Sequence, residues 1–134
     1  MTRSWPKDQL DRLGAAEEIR IAGRRRDGSL RRPVIVWVVR IGDELFTRSV
    51  NGADAGWFRG TRARHEGHVS GGGVEADVDF LGIGDVDDID HGALHNAVDA
   101  AYRSKYAKYR GPVAAITSPM ARATTLKLLP QTHN

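Results

Sequence analysis

The chain has 134 residues, of which 28% are charged, with a net charge of +3; that length suits one domain spanning 1–134, with a core large enough to need no covalent staples. Cysteine is absent, which excludes disulfides, thiol catalysis and cysteine-ligated metal. No apolar run approaches the about 18 residues that a membrane span needs, and the opening MTRSWPKDQL has no apolar signal core, so a soluble cytoplasmic protein is expected.

The first element reads as a short helix, with Ser4 as cap, Pro6 in the first turn, Leu10 and Leu13 on one face and Gly14 at its end. Glu18 to Arg24 alternates, with Ile19 and Ile21 inward, and reads as a strand. Asp27-Gly28 is a hairpin turn. Leu30 to Ile41 returns as a long second strand. Both of its faces are apolar: Val34, Val36 and Val38 on one, Ile35, Trp37 and Val39 on the other. A strand buried on both sides needs cover on both sides, from a helix, a partner subunit or a cofactor. Gly42-Asp43 turns the chain into a third strand, Glu44 to Val50. Asn51-Gly52 is a further turn, and Ala53 to Arg64 is predicted as a short helix.

Gly67 to Ser70 and Val74 to Phe80 read as two strands joined at Gly71-Gly72-Gly73. Val74, Ala76, Val78 and Phe80 share one face of the second. Gly82 to Asp90 is a loop. His91 to Tyr109 is the clearest helix, with Leu94, Val98, Tyr102 and Tyr106 as its apolar stripe. Gly111-Pro112 breaks it. Ala121 to Leu129 holds the last element, with Thr124 to Leu129 as a closing strand. This is a meander, not a run of βαβ units, so a parallel nucleotide-binding sheet is disfavoured.

Charge is segregated. Eleven arginines and no lysine lie between Arg20 and Arg64, and no Lys or Arg lies between His65 and Ala100. Arginine offers a rigid fork of donors for phosphate. Solvated surface is the plainer explanation for any one of them. Other motifs fail on spacing. Gly71-Gly72-Gly73 lacks the Gly-Lys-Ser/Thr of a phosphate loop. Gly82-Ile83-Gly84 lacks a third glycine. Asp85 to Asp90 lacks the closing glutamate of a calcium loop. His91 and His95 are one turn apart, as His65 and His68 could be less well, but neither pair has a third ligand, so no metal site is assigned. No serine sits on a nucleophile elbow, and the catalytic residues cannot be named.

The tryptophans and arginines survive this sifting. Packing is the simpler role for Trp37 and Trp57. The functional one is a planar ligand against indole, with its phosphate on Arg, Ser, Thr and turn N–H groups.

Arg32-Pro33-Val34-Ile35-Val36-Trp37, then Leu45-Phe46-Thr47-Arg48-Ser49 and Asn51-Gly52 before Trp57-Phe58-Arg59, resembles the FMN-binding split-barrel superfamily. That superfamily includes pyridoxamine phosphate oxidase-like proteins and deazaflavin-dependent nitroreductases. More narrowly, Leu10 to Ala15, Trp37 to Arg40, Arg48 to Gly52, Trp57 to Arg59, Gly72 to Val74 and Ala101 to Tyr106 resemble a bacterial family known only as a domain of unknown function. The resemblance implies a mainly β fold: a six-stranded antiparallel split β-barrel with peripheral helices. It also implies a homodimer, and FMN or deazaflavin bound through Arg32, Trp37, Thr47, Arg48, Ser49, Asn51, Gly52, Trp57 and Arg59. One departure stands out. Trp37 occupies the strand-two position where such proteins often carry a lysine for the flavin phosphate.

Three functions follow from this reading. The first is flavin or deazaflavin binding of the oxidoreductase type, in which the cofactor carries the hydride. The second is a cofactor-free module for a small anionic ligand. The third, a nucleic-acid contact through Arg24, Arg25, Arg26, Arg31 and Arg32, ranks last because the acidic second half leaves no broad basic face.

Overall fold

The structure, a computed structural model, describes residues 4–83 and 89–131. The acidic stretch Asp85 to Asp88 and Gly84 lie outside those residues. The chain runs α1 (Lys7–Ala15), β1 (Ile19–Gly23), β2 (Val34–Val36), β3 (Val38–Ile41), β4 (Glu44–Thr47), α2 (Gly56–Ala63), β5 (Glu66–Gly71), β6 (Val74–Gly82), α3 (Ile89–Lys105), α4 (Arg110–Ile116), α5 (Pro119–Arg122) and β7 (Leu126–Pro130). All strand pairs are antiparallel, in the order β2-β1-β5-β6-β7-β4-β3. The two edge strands, β2 and β3, are consecutive in the chain and do not pair, so the sheet is a nearly closed barrel with one open seam.

That seam explains why there are seven strands rather than six. The expected long second strand is two strands, broken at Trp37. β2 pairs with β1 through Ile19↔Val36 and Ile21↔Val34, while β3 pairs with β4 through Val38↔Thr47 and Val39↔Phe46. The alternation survives the break. Val34, Val36 and Val38 belong to the barrel interior with Leu13, Ile21, Leu45, Val69, Val78, Phe80 and Leu128. Trp37 and Val39 belong to a second cluster outside the sheet, with Phe46, Val98, Tyr102, Tyr106, Val113 and Ile116. Helices α3 and α4 therefore supply the outer cover that the two-faced strand demands, except at Ile35, which stays 56% exposed.

An edge strand leaves carbonyls without ladder partners, and buried carbonyls need donors. Here α3 provides them. Tyr102 Oη donates to Trp37 O at 2.9 Å and Lys105 Nζ to Val38 O at 2.7 Å, while the Thr47 hydroxyl also donates to Trp37 O at 2.9 Å. The apolar stripe expected on this helix is thus also the plug of the seam.

Local differences have local causes. Ser4 is exposed and does not cap α1; Pro6 holds the cap position, and the neighbouring Trp5 is buried with its indole N–H donating to Leu128 O. β4 ends at Thr47, so Val50 lies outside it. The expected Ala53–Arg64 helix is a single 3-10 turn, Gly52–Asp54, followed by α2. Gly111 and Pro112 do not merely end α3; they lie in the first turn of α4, where proline costs no hydrogen bond. α4 and the short α5 went unread for that reason. Thr124 and Thr125 precede β7 rather than joining it.

Candidate functional site

Where the barrel fails to close, a cleft of about 430 Å³ opens, within the range of small-molecule sites. Val34, Ile35 and Val36 of β2 and Trp37 at the seam form one wall. Val50 and Asn51, which follow β4, and Trp57 of α2 form another. Pro112 and Ile116 of α4 close a third side, Glu18 stands before β1, and Arg48 lies beneath. The lining is mainly apolar.

Each wall is held by its own elements. Trp37 stacks on Tyr106 of the segment after α3, with ring centroids 3.9 Å apart and planes within 4°. Trp57 enters at the start of α2, whose Phe58 and Thr61 face inward and leave Trp57 half-buried. Gly52 sets the approach of that segment. Its φ of +79° suits glycine alone, its N–H donates to Ser49 O at 3.0 Å, and an added Cβ would lie 2.6 Å from Met120.

Arg48 determines the electrostatics. Its side chain has no exposure and forms an ion pair with Asp99 Oδ1 at 2.5 Å. Nε donates to Thr125 Oγ1 at 2.9 Å, and Nη1 also reaches Ile116 O at 3.2 Å. Nη2 meets His95 O at 3.3 Å and His95 Nδ1 at 3.4 Å. Four of the five N–H groups of the guanidinium have acceptors within the protein, and the fifth meets His95 Nδ1, which accepts in the Nε2-protonated tautomer. Burial pulls its pKa down, and the hydrogen bond and charge of Asp99 pull it back up. Arg48 thus ties α3 and α4 to the barrel, and has no donor left for a phosphate.

The other expected site residues separate into three groups. Trp37, Asn51 and Trp57 come together in the cleft. Thr47 and Ser49 are buried beside Arg48. The Thr47 hydroxyl is spent on Trp37 O, and the Ser49 N–H donates to Thr124 Oγ1 at 2.8 Å, while the Ser49 hydroxyl has no partner among the described residues. Arg32 and Arg59 are exposed and outside the cleft lining. Glu18, Val50, Pro112 and Ile116 were missed. Only a turn after β4 and a glycine–proline pair hinted at three of them, and both looked like simple chain breaks.

Two arginines of the first hairpin, Arg24 and Arg25, are committed as well, and Arg31 Nε is buried without a partner among the described residues. Arg24 donates to Gly28 O and to Asp77, Arg25 to Leu30 O, and Arg64 to the carbonyls of Arg25 and Arg26. His68 meets Asp77 and Glu75 rather than a second histidine. Among the described residues no group of three or more His, Asp or Glu could hold a metal ion, and no helix is long and apolar enough to cross a membrane. Lys105, on α3, lines a separate hollow with Glu17 and Lys108, and burial lowers its pKa to about 8.

Comparison with known proteins agrees with this architecture. Residues 9–128 match a family described as "Uncharacterized protein conserved in bacteria (DUF2255)", and the chain belongs to that family. No curated protein matches the sequence. Among solved structures, an FAD-binding protein from Mesorhizobium loti is similar at a TM-score of 0.58 and 20% identity, over 97% of this chain and 93% of that one. An F420 reductase is similar at 0.55 and 19%, over 96% and 97%. The haem storage protein HutZ from Vibrio cholerae is similar at 0.60 and only 8%, over 98% and 93%. At such identities the likeness is one of fold, and the fold is that of the split barrels.

Proposed function

We propose that this member of the family binds the planar ring of a flavin or deazaflavin in the seam cleft and serves oxidoreductase chemistry, the cofactor supplying the hydride transfer. One observation carries the reading: two tryptophans, Trp37 and Trp57, face an apolar cleft of about 430 Å³ at the open seam of the barrel. Two solved proteins of this fold, an FAD-binding protein and an F420 reductase, support the choice of ring.

The ring fits these residues, but the phosphate does not fit inside the cleft, because the Arg48 guanidinium is fully used. Exposed Arg32 and Arg59 are the side chains of the expected set that make no bond among the described residues and would take an anionic tail. Trp57 would pack against the ring, and Asn51 would supply polar contact at its edge. The chain would hold and orient the ring and exclude water from it.

A homodimer belongs to the same proposal. Ile35, 56% exposed, and Val50, 42% exposed, both line the cleft, and a second copy would cover them and could bring further arginines. A sedimentation profile of a monomer at tens of micromolar would count against it.

Titration with FMN, FAD and deazaflavin, followed by tryptophan fluorescence, tests the cofactor. Binding is expected to quench, and Arg59→Ala is expected to cost about 1.5–3 kcal/mol of affinity with an unchanged fold. Absence of quenching up to millimolar cofactor, a limit near −4 kcal/mol, would leave the cofactor-free module for a small anionic ligand. Quenching that survives Trp57→Phe with Arg59→Ala would move the site elsewhere.

A further inference from the structure

Two ionisable side chains line the cleft, Glu18 and Arg48, and they are not equivalent. The charge of Arg48 is matched by Asp99 and sealed from solvent. Glu18 is exposed and forms no hydrogen bond or ion pair among the described residues. Its neighbour Glu17 is engaged by Tyr109 and Lys108, and Arg20, which lines the adjoining groove, makes no ion pair with it. The cleft is therefore apolar with one uncompensated negative charge.

The aromatic rings show the same asymmetry. Arg62 lies over Phe58, Arg48 over Tyr102, Lys105 over Tyr106 and Lys108 over Tyr109, at 4.9 to 5.8 Å from the ring centroids. Among the described residues no protein cation lies over Trp37 or Trp57, the two tryptophans that line the cleft. Indole is the strongest aromatic acceptor for a cation, and a carboxylate beside an apolar wall attracts a positive charge more strongly than it would in open water.

We propose that the seam cleft is a site for a planar aromatic cation, with the indoles of Trp37 and Trp57 against its face and the Glu18 carboxylate at its charged edge. The cation would occupy the same walls as the flavin ring, so the two are alternative occupants of one cleft and this inference does not depend on the flavin reading; a cleft of this character disfavours an anionic group within its walls.

The test uses the intact chain and three two-ring probes of similar size: N-methylquinolinium, neutral 4-methylquinoline and quinoline-4-carboxylate, titrated calorimetrically near neutral pH. The cation is expected to bind about tenfold more tightly than the neutral ring, through cation–π and charge attraction rather than a hydrogen bond, and the carboxylate most weakly. Glu18→Gln, on the exposed rim, is expected to retain the wild-type circular dichroism and to reduce the preference for the cation to the part the indoles supply. Trp57→Leu is expected to weaken the cation more than the neutral probe. Equal or tighter binding of the neutral ring, no binding of any probe, or a cation preference undiminished in Glu18→Gln would overturn the proposal. Failure of FMN to bind, with the cation preference intact, would sink the flavin reading alone.

Discussion

Arg48→Met separates a structural arginine from a ligand-binding one. The substitution keeps an unbranched apolar stem and removes all five donors. It leaves Asp99 with its side chain 9% exposed and, among the described residues, only the longer contact with Arg122, at 3.7 Å, as a cationic partner. Removing one partner of a buried ion pair costs about 3–5 kcal/mol, because the remaining charge stays buried without compensation. That is a large share of the roughly 5–15 kcal/mol that holds a typical domain folded. Equilibrium unfolding in urea should show a midpoint lowered accordingly, with an unchanged slope. The double variant Arg48→Met with Asp99→Leu should recover much of the loss, since both charges are then gone. A single variant within about 1 kcal/mol of wild type, below the cost expected for a buried pair, would refute the reasoning. So would lost FMN binding at unchanged stability, which would place the guanidinium in the cleft.

Lys105 predicts a rise in stability with pH. Its folded pKa is about 8 against an ordinary 10.5, so between those values the unfolded chain holds a proton that the folded chain has released. Stability from this group therefore grows as pH rises through that window; a wild-type minus Lys105→Gln difference in unfolding free energy that is flat or falling there would contradict it. Gly52→Ala is expected to cost about 1–3 kcal/mol from the positive φ alone, with Met120 displaced as well, and an unchanged thermal midpoint would be the contrary result. Random duplex DNA is expected to bind weakly and to be released at physiological salt, because Arg24, Arg25 and Arg64 are already donating within the hairpin; tight, salt-resistant binding in a mobility shift would reverse that ranking.

How far the sequence reaches can be argued at two neighbouring residues. At Trp37 the side-chain pattern was legible and the backbone was not. Alternation placed Val36 and Val38 inside and Trp37 and Val39 outside, and both clusters agree. The break itself leaves no trace in that pattern, since parity continues across it. It comes from closure: β2 must follow β1 while β3 follows β4, and the Trp37 carbonyl turns to Thr47 and Tyr102, the latter 65 residues away. At Arg48 the failure is of the same kind. A motif on a strand end marks arginine as a phosphate donor only if nothing else claims it, and the claimant, Asp99, lies 51 residues along the chain in a helix read only as packing. The buried pair and the open seam are linked, because the helix whose Asp99 satisfies Arg48 also carries the Tyr102 and Lys105 groups that satisfy the seam. The arginine that looked like part of the binding surface instead anchors one side of the cleft through α3 and the Ile116 carbonyl. On the two proposals for the cleft, recognition then falls to the rings of Trp37 and Trp57, to Asn51, and to the rim charge of Glu18.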